Sequence, residues 1–163
     1  MEKNTSMVKE TSPSTRVKII NKSKHPLPWY QHSGDSGMDI MANLEEPVTL
    51  KPLERKLIHT GIYVALPPGT EIQVRPRSGL ALKHGITVLN TPGTVDDGYR
   101  NEVGVILVNL SSEPYTVEDG ERIAQLVFSR VDKIDEWEEV EEFTEEDMNN
   151  DRGLNGYGSS GKF

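Results

Sequence analysis

Side chains that could bind a ligand or take part in catalysis are concentrated in the stretch LNTPGTVDDGYRNEVGV, which begins at Leu89. Its Pro-Gly and Asp-Gly dipeptides are turn elements, so the stretch predicts a β-hairpin. It brings together an amide, carboxylates, a phenol and a guanidinium: Asn90, Asp96, Tyr99, Arg100 and Glu102. The stretch alone does not decide between a ligand site and a polar turn.

The stretch VRPRSGLA has the composition of an anion site. Arg75 and Arg77 flank a proline, and Ser78 is the expected N-cap of a short helix over SGLALKHG. A guanidinium, a hydroxyl and the N–H groups of a helix start can together bind an anion. A surface arginine beside an ordinary helix cap explains the same residues, so both interpretations stay open.

Two other polar residues interrupt apolar strands. Asp39 lies between Met38 and Ile40 in SGMDIMA, and it needs a partner because a buried unpaired charge is costly. Gln125 interrupts GERIAQLVF, where a buried amide also needs a hydrogen-bond partner.

The last twelve residues, RGLNGYGSSGKF, contain GYGSSGK, one residue short of the phosphate-binding loop G-x-x-x-x-G-K-[ST]. That loop needs a hydroxyl after the lysine and a helix behind it. Here Lys162 is followed by Phe163, the final residue given, so the P-loop interpretation fails. The pattern alone predicts a flexible Gly/Ser-rich tail.

The elements that must position these residues are short apolar runs, rich in Val and Ile, at the spacing of an all-β domain. We expect strands within Val17–Ile20, Met38–Ala42, Lys56–Leu66, Glu71–Arg75, Ile86–Leu89, Val103–Leu110 and Arg122–Val131. The stretch WEEVEEFTEED spaces Trp137, Val140 and Phe143 three apart, which fits either a helix or an extended acidic connector. A sandwich or barrel of short strands is the expected architecture.

Charge is unevenly distributed over the 163 residues, whose net charge is −8. Residues 132–151 hold eleven Asp/Glu and one Lys, so the rest of the chain carries about +2. This balance argues against a nucleic-acid surface, which needs clustered Lys and Arg, and leaves a small anionic ligand open. There is no cysteine, no apolar run of membrane-spanning length and no secretory signal, so a cytoplasmic location is expected.

Taken in order, five stretches resemble the motifs of the trimeric dUTPase family: SGMDIMA, PRSGLA, NTPGTVDDGYRNE, GERIAQL and RGLNGYGSSG. They cover Val17 to Gly161 at the family's spacing. The resemblance implies a jelly-roll-like β-barrel with one short helix, assembled as a homotrimer with sites at subunit interfaces. It implies hydrolysis of dUTP to dUMP and pyrophosphate, with Mg²⁺ held by the substrate phosphates and water rather than directly by protein. This activity limits uracil incorporation into DNA and supplies dUMP for dTTP synthesis.

The resemblance also assigns roles to residues. Asp96 is the expected catalytic carboxylate, which positions a water for attack on the α-phosphorus. Tyr99 packs on the deoxyribose and excludes a 2′-hydroxyl. Arg77, Ser78, Gly79 and Gln125 are expected at the phosphates, and Asp39 supports the site. The expected contacts to the base and hairpin are Asn90, Gly93, Thr94, Val95 and Gly104.

In the tail, the resemblance assigns Arg152 to the γ-phosphate and Tyr157 to the uracil ring. Gly158, Ser159 and Ser160 are expected to contact substrate, so the tail becomes a lid rather than an idle linker. The implied organisation is a disordered extension (1–15), the β-barrel domain (16–131), an acidic connector (132–151) and a Gly-rich C-terminal lid (152–163). Two residues depart from the family pattern. Asn101 replaces the usual glycine, where an αL conformation is tolerable for Asn, and Tyr157 replaces the usual phenylalanine.

Two rival functions share this fold. A dCTP deaminase would need its catalytic glutamate at the position of Ile106, and VGVILVN offers no carboxylate there. A catalytically silent nucleotide-binding regulator is the other alternative, against which the intact Asp96, Tyr99 and Arg152 argue.

Overall fold

The structure is a computed structural model that describes residues 14–150. These residues form eleven strands and two helices. In chain order they are β1 Lys18–Asn21, β2 Met38–Met41, β3 Val48–Leu50, β4 Arg55–Ile58, β5 Ile62–Ala65, β6 Thr70–Arg75, α1 Ser78–His84, β7 Ile86–Val88, β8 Gly93–Asp96, β9 Val105–Asn109, β10 Tyr115–Val117, β11 Arg122–Arg130 and α2 Glu145–Met148.

The strands of the described chain pair in four antiparallel sheets. The largest has the order β2-β11-β6-β8, and a three-stranded sheet has the order β4-β9-β7. The pairs β1-β5 and β3-β10 complete the set. Because β6 pairs with both β8 and β11, it joins β8 to the strand that carries Gln125. The predicted β-hairpin is not formed: β8, which lies in that stretch, pairs with neither β7 nor β9, and its partner β6 comes from before α1.

The core follows from the alternation of side chains along the strands. In β6, Thr70, Ile72 and Val74 are buried while their neighbours in the strand are less so, as a sheet with one face inward requires. The same pattern gives Ile62 and Val64 in β5. Aliphatic side chains dominate the buried cluster, and the buried residues of β9 include Asn109, whose amide donates to the carbonyl oxygens of Leu50 and Glu113. Its burial is therefore compensated by hydrogen bonds.

The all-β prediction is confirmed, with differences in detail. The run Lys56–Leu66 is two strands, since the chain turns at residues 59–61 and Gly61 takes a φ of 68°. The short strands β3 and β10 were not predicted. No helix in residues 14–150 has both the length and the apolar character needed to cross a membrane.

Two expectations about helices were wrong. Ser78 is the first residue of α1 rather than its cap: Arg77 occupies the N-cap position, and its side chain makes no capping hydrogen bond. A second helix, α2, follows Thr144, whose hydroxyl and backbone form a reciprocal capping box with Asp147. The family expectation of one short helix therefore holds for residues 14–132 but not for residues 133–150, which contain α2.

Contacts divide the described chain into two compact units, residues 14–132 and residues 133–150. Taken by itself, the second unit has no regular secondary structure before α2 begins at Glu145. Trp137, Val140 and Phe143 therefore do not form a helical stripe. In WEEVEEFTEED, residues 137–144 are therefore not helical, whereas the last three residues belong to α2.

Candidate active site

Residues 89–105, the segment predicted as a hairpin, open onto a cavity of about 470 Å³, here called the hairpin pocket. Six of the residues expected to contact substrate line it: Asn90, Gly93, Thr94, Val95, Tyr99 and Gly104. The other lining residues are Leu57, His59, Val74, Val88, Asn101, Glu102, Val103 and Ile106. The segment therefore forms a ligand-sized concave site, which an ordinary polar turn would not do.

Two glycines of the pocket lie close to neighbouring side chains. A Cβ on Gly93 would lie 3.2 Å from the Asn90 amide nitrogen and 3.3 Å from the Val74 Cβ. A Cβ on Gly104 would lie 2.6 Å from a methyl group of Leu57. The pocket wall consequently includes backbone that no side chain covers, and such backbone can approach a ligand closely.

The two adjacent aspartates of this segment have different roles. Asp97 accepts a hydrogen bond of 2.8 Å from the Gly69 N–H, so it fixes the turn that precedes β6. Asp96 ends β8 on its exposed face, and no hydrogen bond or ion pair from residues 14–150 reaches its carboxylate. The Asp96 carboxylate lies outside the residues that line the hairpin pocket, next to Val95, which lines it. It is therefore available to a ligand or a water.

Tyr99 is held at the pocket by hydrogen bonds of its own segment. Its hydroxyl donates to the Glu102 carbonyl oxygen at 2.8 Å, and its N–H donates to the Asp96 carbonyl oxygen at 3.1 Å. Arg100 donates to the carbonyl oxygens of Asp97 and Tyr99 rather than facing the pocket. Tyr99 is 40% exposed and lines the pocket, so part of its side chain is accessible to a ligand.

Glu102 anchors this segment to the turn between β4 and β5. Its carboxylate accepts from the N–H groups of Thr60 and Gly61 at 2.9 and 2.7 Å, and lies 2.9 Å from the His59 ring nitrogen Nδ1. Partial burial raises the pKa of Glu102, but these donors lower it more, so the pKa lies below its ordinary value of 4.5. The carboxylate is ionised and saturated with donors, as suits a structural anchor.

Asn101 keeps an ordinary backbone conformation, because Leu53 is the one non-glycine residue with positive φ among those described. Its side-chain oxygen accepts from the Glu102 N–H at 2.8 Å. The tolerance of Asn for αL geometry is therefore not called upon, and the turn does not need glycine at this position.

A second group of predicted residues forms what we call the Asp39 cluster: Asp39, Arg77, Arg122 and Gln125. Asp39 accepts from Arg77 Nε at 3.0 Å and lies 3.5 Å from Arg122 Nη1. The expectation that Asp39 needs a charged partner is confirmed. Arg77 Nη1 also donates to the Arg122 carbonyl oxygen at 3.0 Å.

Gln125 has the partner that its position in a strand predicted, since its amide donates to the Pro76 carbonyl oxygen at 2.9 Å. Its other side packs on Gly37, where a Cβ would clash with the Gln125 amide. Strand register explains the grouping, because Gln125 lies opposite both Asp39 of β2 and Arg75 of β6. Arg75 itself donates to Gln73, so only Arg77 of the two predicted arginines joins the cluster.

The sequence analysis missed three contributors, His59, Glu102 as an anchor, and Arg122. Arg122 lies within GERIAQLVF, and the need of Asp39 for a cation could have identified it. Nothing in the local sequence pointed to His59, since its partner Glu102 lies 43 residues further along the chain.

The residues expected in the lid lie outside the described residues: Arg152, Tyr157, Gly158, Ser159 and Ser160. Within 14–150, no group of three or more His, Cys, Asp or Glu side chains could hold a metal ion.

Comparisons with known proteins agree with this geometry. The dUTPase family profile matches residues 23–161. The chain is 54% identical over 147 residues to the deoxyuridine 5'-triphosphate nucleotidohydrolase of Fusobacterium nucleatum, covering 90% of this chain and 97% of that protein.

Solved structures support the same fold. A mutant of the Staphylococcus bacteriophage 80alpha dUTPase with dUpNHpp superimposes with a TM-score of 0.78 at 28% identity, covering 91% of this chain and 99% of that one. A mutant dUTPase from phage phi11 of S. aureus, described with a structural Mg(II) ion, gives a TM-score of 0.71 at 24% identity, covering 79% and 99%. The motifs, the hairpin pocket and these matches lead to one conclusion: the chain belongs to the dUTPase family.

Proposed function

We propose that this chain hydrolyses dUTP to dUMP and pyrophosphate by attack of a water on the α-phosphorus. The observation that carries the proposal is the available Asp96 carboxylate at the end of the strand whose other residues line the hairpin pocket. The reaction would limit uracil incorporation into DNA and supply dUMP for dTTP synthesis.

The hairpin pocket is proposed to take the uracil and the deoxyribose. Peptide groups of Gly93, Thr94 and Val95 can read the O4 and N3–H pattern of uracil, with the Asn90 amide beside them. Cytosine would leave these buried groups unpaired, which costs more than a missing apolar contact. Tyr99 would pack on the sugar and exclude a 2′-hydroxyl.

Asp96 is proposed to orient the attacking water and to accept its proton. Phosphoryl transfer depends on an oriented nucleophile and on neutralisation of charge, with little covalent chemistry for the protein to perform. A carboxylate without competing donors, such as Asp96, can hold a water in this way.

The phosphates are proposed to bind at Arg77, Ser78, Gly79 and Gln125. Arg77 uses Nε and Nη1 for Asp39 and Arg122, and no acceptor in residues 14–150 takes its Nη2. That nitrogen can donate to a phosphate oxygen while Asp39 keeps the guanidinium oriented. Asp39 therefore supports the site without touching the base.

Mg²⁺ is the proposed cofactor. It is a hard cation that prefers oxygen ligands and retains several waters, so the triphosphate oxygens and water suffice to hold it. Its role would be to neutralise charge on the phosphates as pyrophosphate leaves.

A homotrimer with sites at subunit interfaces is part of the proposal. In support, the residues proposed to bind or support the phosphates do not line the hairpin pocket of the same chain: Arg77, Ser78, Gly79, Gln125 and Asp39.

The division into an extension (1–15), a barrel domain (16–131), a connector (132–151) and a lid (152–163) is likewise proposed. In the lid, Arg152 would meet the γ-phosphate and Tyr157 the uracil, with Gly158, Ser159 and Ser160 at the phosphates. A cytoplasmic location, with no nucleic-acid or membrane partner, completes the proposal.

The test is pyrophosphate release with Mg²⁺ from dUTP, dCTP, dTTP and UTP in parallel. We expect release from dUTP far above that from the other three. Absence of release from dUTP would overturn the proposed activity, and equal release from UTP would overturn the role of Tyr99. Sedimentation should give the mass of three 18.2-kDa chains.

The deaminase alternative is disfavoured by the pocket itself. Ile106 lines the hairpin pocket, so the position at which a deaminase would need its glutamate carries an apolar side chain. The carboxylate that does line the pocket, Glu102, is occupied by three donors. Ammonia release from dCTP in the same assay would contradict this argument.

A further inference from the structure

The turn between β4 and β5 is a rigid platform. Thr60 is 1% exposed, and its hydroxyl donates to the Val103 carbonyl oxygen at 2.6 Å. Gly61 lies so close to Ser23 that a Cβ would be 2.7 Å from the Ser23 nitrogen, and its carbonyl oxygen accepts from the Lys22 N–H at 2.8 Å. A group bonded to the N–H groups of this turn is therefore held in a fixed place.

Glu102 transmits that fixed position to Tyr99. Its carboxylate holds the turn through Thr60 and Gly61, while its own carbonyl oxygen accepts from the Tyr99 hydroxyl at 2.8 Å and from the Gly104 N–H at 3.0 Å. One residue thus joins the platform to the Tyr99 ring through two successive sets of hydrogen bonds.

The Tyr99 ring can exclude a 2′-hydroxyl only if the ring is held in place. Tyr99 is 40% exposed, so packing alone leaves the ring free to move away from an added atom on the sugar. A hydrogen bond at the far end of the ring resists that movement, provided its acceptor is itself immobile. The Glu102 carboxylate helps to hold the acceptor in place, together with the backbone bridge between Glu102 and Tyr63.

We propose that Glu102 is a positioning residue that fixes the Tyr99 ring and thereby sets the preference for a 2′-deoxyribose over a ribose. This inference rests on the proposed function. For the position of Tyr99, the anchor needs a hydrogen-bond acceptor, because a single oxygen, Oε1, takes both backbone N–H groups of the turn.

The experiment compares Glu102→Ala, Glu102→Gln and Tyr99→Phe by the ratio of kcat/KM for dUTP to that for UTP. Glu102→Ala should lower the ratio about tenfold, the worth of one hydrogen bond to a charged group. Tyr99→Phe keeps the ring but removes its tether, so its ratio should fall in the same direction. Glu102→Gln retains the amide oxygen for Thr60 and Gly61, so it should keep the ratio of the unsubstituted chain.

Asp119 provides the matched control. It too is a carboxylate that accepts from a backbone N–H, that of Leu44 at 2.8 Å, and lies 2.9 Å from a histidine ring nitrogen, in His25. It does not line the hairpin pocket. Asp119→Ala should lower thermal stability and leave the dUTP to UTP ratio unchanged, which separates positioning of Tyr99 from general loss of stability.

Hydrogen exchange of the amides from Tyr99 to Gly104 gives a readout that is independent of activity. Exchange should accelerate in Glu102→Ala and not in Asp119→Ala. A folded Glu102→Ala with unchanged exchange and an unchanged substrate ratio overturns the inference; if that variant does not fold, an unchanged ratio in Tyr99→Phe overturns it. An unsubstituted chain that releases no pyrophosphate from dUTP overturns the proposed function, and the exchange difference alone then decides whether Glu102 fixes the Tyr99 segment.

Discussion

The hairpin pocket and the Asp39 cluster differ in what holds them together. Around the pocket, most fixed contacts involve backbone: the Glu102 carboxylate binds two N–H groups, and the Tyr99 hydroxyl binds a carbonyl oxygen. In the Asp39 cluster, the main contacts join one carboxylate to the guanidinium groups of Arg77 and Arg122.

The difference has a consequence for ligand binding. Backbone anchors hold one geometry, which suits recognition of a flat base and a sugar. A guanidinium with an unused donor can add a second anionic partner, which suits the proposed binding of a triphosphate by Arg77 Nη2 while Asp39 keeps its bond to Nε. The hairpin pocket is therefore suited to recognising the shape of a ligand, and the Asp39 cluster is suited to binding negative charge.

The largest effect is expected from Asp96, whose neighbour Val95 lines the hairpin pocket and whose carboxylate is proposed to orient the attacking water. Asp96→Asn keeps the size of the side chain but removes the base, so kcat for dUTP should fall by about 10²–10⁴-fold while KM changes little. The matched control is Asp97→Asn, because its amide oxygen can still accept from the Gly69 N–H. Steady-state kinetics decide, and equal losses in the two variants would remove Asp96 from the catalytic role.

A smaller loss is expected at the charged region. Arg77→Lys keeps the charge but loses the forked guanidinium that spans Asp39 and the Arg122 carbonyl oxygen, so kcat/KM should fall about 10- to 100-fold. Arg75→Lys is the matched control on the other side of Pro76, since Arg75 donates to Gln73 instead. If the Arg75 variant loses as much activity as the Arg77 variant, the contacts of Arg77 within the Asp39 cluster do not explain its importance for activity.

The two regions also differ in how far the sequence predicted them. Asp39 and Gln125 were recognisable because a polar residue in an apolar strand needs a partner, and the structure supplies one for each. The turn residues of LNTPGTVDDGYRNEVGV were recognisable, but the β-hairpin predicted from them was wrong, because β8 pairs with the distant strand β6. The Glu102 anchor was not recognisable, because its contact with residues 59–61 depends on how β4 and β5 pack beside this segment, and no local pattern encodes that packing. The position of Ser78 was misjudged for a related reason, since helix boundaries are set by tertiary context within a residue or two.

Packing around the pocket gives a prediction on stability. Gly93→Ala places a methyl group 3.2–3.3 Å from Asn90 and Val74, so the free energy of unfolding should fall by about 1–3 kcal/mol, and KM for dUTP should rise as the base site narrows. Gly98→Ala is the control in the same segment, because a Cβ there meets nothing within 4 Å. Denaturant unfolding measures both variants. A tolerated Gly93→Ala would show that the pocket wall yields, contrary to the rigidity argued for it.

The smallest expected effect is a loss of stability at acid pH, and it tests the Glu102 anchor by itself. Because the folded state lowers the pKa of Glu102 below its ordinary value of 4.5, the unfolded chain binds a proton more readily there. The carboxylate therefore stabilises the fold above about pH 4.5, and this contribution disappears as the pH falls through the folded pKa. The stability difference between the unsubstituted chain and Glu102→Gln should shrink over that window, as measured by urea unfolding at each pH. The comparison is repeated in a His59→Gln background, since His59 is the titratable group that faces the carboxylate. A difference that stays constant down to pH 3 would show that the anchor depends on hydrogen-bond geometry alone and gains nothing from ionisation.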